Sequence, residues 1–211
     1  MFRVISILSI LLVIFITAKI ARSQSNDSVS LVDWLRHKMK DFGDTLQRLG
    51  KVNFSENLPL IKTVFYGATL VSFLLLVLTG FLPVVFTGAH LSGFFLMIHM
   101  VAGPVFAFGM VGLTLLYAYQ LRISGADWER LYQVFRRDTQ KSKFVAENGE
   151  LFKKITFWMA IVLSIPLISS VALSMYPIYG PAGQETLLEL HGYAGLALLL
   201  VFVVYFWSEG P

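Results

Sequence analysis

Cysteine is missing from all 211 residues. That excludes disulfides, thiolate-held metals, iron–sulfur clusters and a haem attached covalently through C-x-x-C-H. Charge is scarce as well. Charged residues make up 14% of the chain, against about 25% in ordinary soluble domains. Neither 63–121 nor 155–207 contains a single Lys or Arg. What fills the space is apolar: 56% of residues are hydrophobic and the mean hydropathy is +0.69. Such a composition reads as an integral membrane protein. The formal charge of +4 and pI near 9.3 would suggest nucleic acid in a soluble protein. Here they reflect membrane topology, and no nucleic-acid partner is expected.

Five apolar spans follow along the chain, at 4–16, 63–86, 91–121, 155–175 and 186–207. A hydrocarbon core about 30 Å thick needs about 20 helical residues, and the last four spans meet that length. The first is shorter, with Arg3 before it and "AKIARSQ" after it. It resembles a signal-peptide apolar region and is read as a retained signal-anchor transmembrane helix within 1–22. Residues 23–61 then form an amphipathic segment, and 62–211 a four-helix transmembrane core.

The basic residues orient these spans. Of 17 Lys and Arg, eight lie in 19–62, eight in 122–154, and Arg3 is the last. The positive-inside rule places both clusters in the cytoplasm. The turns near His90 and "YPIYGPAG" then face outward, and the C-terminus ends inside. This is the topology expected of a multi-pass protein of the inner (cytoplasmic) membrane.

Within the first basic segment, Val32, Leu35, Met39, Phe42, Leu46 and Leu49 recur at helical spacing. Ser30 and Asp33 fit a capping box, and Arg36, Lys38, Lys40 and Arg48 occupy the other face. The pattern predicts an amphipathic helix on the anionic inner leaflet or on a partner subunit. The segment 122–154, with "RRDTQKSK", reads as a solvated basic loop around a short helix.

One polar pattern occurs twice inside the apolar spans: "HMVAG" at 99–103 and "HGYAG" at 191–195. Spans three and five both start on the outer side and run parallel. Their histidines, His99 and His191, lie roughly 10 Å deep at about 1.5 Å of rise per residue. Two neutral imidazoles at one depth on two helices are what a bis-histidine haem b requires. The glycines add to the pattern. Gly103 and Gly195 each follow their histidine by four residues, which places both on the same helix face. A missing side chain there leaves a flat surface for a porphyrin, and Pro104 offers a kink that opens the groove. The competing interpretation is helix packing through Gly and Ala, with each histidine bonded to a hydroxyl or carbonyl. A metal held without porphyrin would need more ligands, and Glu189, two residues before His191, points elsewhere. His90 sits about 13 Å above His99 by helix rise and is a candidate partner for a haem propionate or a quinone. His37, among charges, reads as solvated.

The stretches "GAHLSGFFLMIHMVAG" and "LELHGYAGLALL", with the four-span core over 63–207, resemble the membrane cytochrome b subunits of respiratory enzymes. Those of formate dehydrogenase and nickel–iron hydrogenase are examples, as are cytochrome b561-like proteins. The resemblance implies an all-α transmembrane bundle with one haem b ligated axially by His99 and His191. It also implies electron transfer between membrane quinone and an extracytoplasmic redox partner. That partner would be another subunit of a respiratory complex, a periplasmic multihaem cytochrome or a molybdenum enzyme. Ligation by two histidines leaves no open iron position, so the chain would pass electrons rather than perform bond-making chemistry. For the quinone, Tyr179, Glu189 and Tyr193 are candidates on one side, and Tyr117, Tyr119 and Trp207 on the other. The alternative is a haem-free anchor or scaffold subunit of a larger complex.

Overall fold

The computed structural model describes residues 4–13, 15, 40, 58–88, 91–136 and 149–208. Among them there is no strand. A short apolar helix, α1 (Val4–Val13), is followed by α2 (Leu58–Thr87), α3 (Gly93–Tyr117), α4 (Gly125–Arg136), α5 (Gly149–Ser174) and α6 (Gly180–Ser208). A 3₁₀ turn, Pro177–Tyr179, joins α5 to α6. Helices α2, α3, α5 and α6 are long and apolar enough to cross a membrane. Even the shortest of them, 25 residues, extends about 38 Å at about 1.5 Å per residue. The described part of α1 is 10 residues, about 15 Å, and reaches half the thickness of a hydrocarbon core. The helix expected over 30–50 lies outside the described residues except for Lys40, and so do His37 and His90.

The long helices form two antiparallel hairpins, α2/α3 and α5/α6. Each packs closely within itself, while the hairpins meet each other sparsely. Glycine makes both turns. The chain leaves α2 through Gly88 at φ 67° and enters α3 through Gly93 at φ 61°, while Gly180 at φ 63° opens α6. These are left-handed conformations that side-chain-bearing residues avoid. The Gly88 amide bonds the Val84 carbonyl at 3.1 Å and closes the end of α2.

The α2/α3 seam rests on small residues. A Cβ at Gly109 would collide with Thr69, and one at Gly112 with the Phe65 ring. Where the hairpins meet, Phe73, Phe106, Met110, Leu167, Ala194 and Leu198 form the buried core. Phe73 lies 5.9 Å from Phe106 and 5.1 Å from Phe202 by ring centroid. Most other apolar side chains face outward, as a lipid-exposed bundle requires. Buried hydroxyls are satisfied within their own helices. Thr69, Thr156, Ser164 and Ser170 donate to carbonyls three or four residues back at 2.6–3.0 Å.

At the end of the bundle where α3 finishes and α5 begins, Ser124 caps α4. Its amide and hydroxyl both donate to Asp127 Oδ2 at 2.8 Å. Lys154 of α5 reaches the same oxygen at 2.8 Å. The Trp158 indole N–H bonds the Leu121 carbonyl at 2.8 Å. The α3–α4 link is therefore fastened to α5 at two points. The lysine ammonium, then the Ser124 amide and hydroxyl, hold the Asp127 carboxyl well below the usual carboxylate range.

The helices differ modestly from the expected spans. Helix α6 begins at Gly180 and α5 at Gly149, each about six residues ahead of its apolar run. Gly180 followed by Pro181, and Gly149 followed by Glu150, are helix-starting sequences that hydropathy does not register. Helix α3 runs unbroken through Pro104, and α2 and α5 likewise through Pro83 and Pro166.

Candidate functional site

His99 projects from the second turn of α3, and His191 from the fourth turn of α6. Their helices belong to different hairpins, yet their ring centroids are 6.2 Å apart, with the ring planes at 73°. Metal–imidazole bonds run about 2.0–2.1 Å, and a ring centroid sits about 1.1 Å behind its ligating nitrogen. Two imidazoles on opposite sides of one ion therefore have centroids about 6.2–6.4 Å apart. The centroid separation of the pair falls in that range.

Hydrogen bonds favour one tautomer in each ring. His191 Nδ1 lies 2.9 Å from the Leu167 carbonyl oxygen. A carbonyl only accepts, so Nδ1 carries the proton and the lone pair is on Nε2. His99 Nδ1 lies 3.0 Å from Thr79 Oγ1. The Thr79 hydroxyl spends its own proton on the Leu75 carbonyl at 2.6 Å. It therefore accepts from His99, which again leaves the lone pair on Nε2. An Nδ1–H held by an oxygen acceptor, with Nε2 as the electron donor, is the arrangement found behind metal-ligating histidines.

Small residues shape the surroundings. Gly103, one turn past His99, has nothing within 4 Å of where a Cβ would stand, whereas Gly109 and Gly112 on the same helix are filled by their neighbours. A Cβ at Gly195 would touch Leu167 at 3.5 Å and Phe81 at 3.9 Å, so its surface is covered by ordinary packing. Gly80, a residue to which the apolar pattern draws no notice, lies directly against the histidine. Its Cβ would fall 3.0 Å from His99 Cε1. Thr79 and Gly80 together make α2 the backing of the His99 ring. Both escape a search for motifs on the histidine helices alone, because they are brought in by the α2/α3 hairpin. Their only signal in the sequence is a Thr-Gly pair in an otherwise aliphatic run.

Among the described residues no group of three or more His, Cys, Asp or Glu could hold a metal ion. A ligand set of two imidazoles suits a metal that brings its other donors with it, as a porphyrin does. On donor chemistry, tautomer and spacing, the residues present fit a bis-histidine haem.

The other candidates are dispersed. Tyr179 is exposed at the α5–α6 turn, Glu189 is exposed, and Tyr193 is more than one-third exposed. Tyr119 is exposed beneath the Arg122 guanidinium, 5.2 Å from its ring centroid. Tyr117 lies under the Lys62 ammonium at 5.0 Å and lines a cavity at the basic end of the bundle. His90 and the side chain of Trp207 lie outside the described residues.

No family model, curated protein or solved structure matches the chain.

Proposed function

We propose that the chain is a membrane electron-transfer subunit that carries one haem b between His99 and His191. The observation that supports this most is the pairing of two Nδ1–H imidazoles, 6.2 Å apart, on separate hairpins. When bound, the haem supplies reversible one-electron chemistry. His99 and His191 would hold it through Nε2. Thr79 and the Leu167 carbonyl would fix the ring orientations and raise ligand basicity. Gly103 would leave room beside it.

The charge pattern supports an orientation in which the basic ends of the four helices face the cytoplasm and the histidine pair lies toward the outer face of the inner membrane. Electrons would then pass between the quinone pool and an extracytoplasmic redox partner within a respiratory complex. A dithionite-reduced minus oxidised spectrum of the purified protein tests the proposal: a b-type α band supports it. A fully assembled preparation without that band would favour the haem-free scaffold reading.

A further inference from the structure

The four long helices line a half-open cavity of about 480 Å³ at the end of the bundle opposite the histidine pair. Sites for small molecules run about 300–1,000 Å³. The cavity falls in that range, and its walls are graded. Its inner end rests on Phe73, Phe106 and Met110 of the buried core. Its mouth carries Tyr117, Gln120 and Lys153. Two hydroxyls on the wall, Thr69 and Thr156, already donate to carbonyls of their own helices.

The charge at the mouth is positive. Lys153 lines it, and the Lys62 ammonium sits over the ring of Tyr117. Of the acids at this end, Asp127 is engaged by Lys154 and Ser124, and Glu150 lies one turn before Lys153 on α5, against the two lysines at the mouth. A cavity with an aromatic interior and a basic, amide-bearing rim selects for one chemistry. Its occupant has an apolar chain and a head rich in hydrogen-bond acceptors.

We infer that this cavity binds a membrane amphiphile, with the apolar chain laid against Phe73 and Phe106 and an oxygen-rich head at Gln120 and Lys153. Anionic phospholipids and lipid quinones share that chemistry. The inference stands apart from the haem reading: Thr79, Gly80 and Leu167, which back the histidine rings, do not line the cavity. Ala160 projects into the cavity from α5, so Ala160→Leu fills part of it from the side.

The experiment uses full-length protein, delipidated in detergent and examined by native mass spectrometry. Phosphatidylglycerol and decyl-ubiquinone are titrated separately. One saturable equivalent of either probe supports the inference, and the probe that binds identifies the source. Ala160→Leu should weaken that binding about tenfold, by displacing the volume of a few methylenes. It should also leave the thermal midpoint of the delipidated protein unchanged or raised, as cavity filling does. Gln120→Leu, at the exposed rim, should weaken binding several-fold without altering the helical circular dichroism, and serves if Ala160→Leu does not fold. Saturable binding of neither probe, or equal affinity in both variants and wild type, would overturn the inference.

Discussion

Gly80→Ala is a one-carbon change at a residue that touches no ligand. Its Cβ would stand 3.0 Å from His99 Cε1. That is tighter than an ordinary van der Waals contact, so the ring must give by a few tenths of an ångström. Metal–ligand distances tolerate about 0.2 Å. The required retreat is of that size or larger, and it also strains the 3.0 Å bond from Nδ1 to Thr79. Loss of an outer-shell partner costs about 10–100-fold in metal affinity, and a displaced ligand should cost at least as much. Haem titration into apoprotein, followed by visible absorption, measures it. Gly149→Ala is the matched control, since a Cβ there meets nothing within 4 Å. Unchanged haem affinity in Gly80→Ala, with helicity intact, would refute the assignment of His99 as a ligand pressed against α2.

Four further substitutions separate haem binding from helix packing and from the basic end. Gly103→Ala should leave the apoprotein's thermal midpoint unchanged or raised, because its surroundings are open and alanine is the better helix former, and lower haem affinity. Gly112→Ala, whose Cβ meets Phe65, should destabilise the fold by about 1–3 kcal/mol in denaturant titration. Thr79→Val strands the His99 Nδ1–H without an acceptor. It should weaken haem about 10–100-fold and raise the midpoint potential in a redox titration, because a less basic imidazole favours the ferrous state less weakly. Asp127 has a carboxyl pKa lower in the fold than its free value of 3.8. The unfolded chain therefore binds the extra proton first. The stability Asp127 lends is complete above about pH 4 and is lost as pH falls through the folded pKa. Thermal midpoints of wild type should fall below about pH 4 more steeply than those of Asp127→Asn.

The four long helices were legible because each carries an uncharged apolar run, and lysines and arginines mark where three of the four runs meet the basic end. Which faces pack was not legible. The helices are apolar nearly all round, so periodicity does not separate core from lipid-facing positions. Gly103, Gly109 and Gly112 look alike in the sequence, yet one faces open space and two seat side chains from α2. The histidine pair stood out because imidazoles are costly in an apolar span. Their supporting acceptors did not. Thr79 resembles Thr69, which only bonds its own helix, and the Leu167 carbonyl is backbone, which no residue type announces. The cavity at the basic end is assembled from all four helices and the α3–α4 link, a convergence that only the fold reveals.

We propose that His99 and His191 hold one haem together. Haem titration of wild-type, His99→Ala and His191→Ala protein, read as stoichiometry and spin state in the absorption spectrum, tests this pairing. One low-spin equivalent is expected in wild type, with the low-spin signal lost in each variant and retained in His37→Ala. A low-spin signal that survives either His99→Ala or His191→Ala, or one removed by His90→Ala alone, would contradict it.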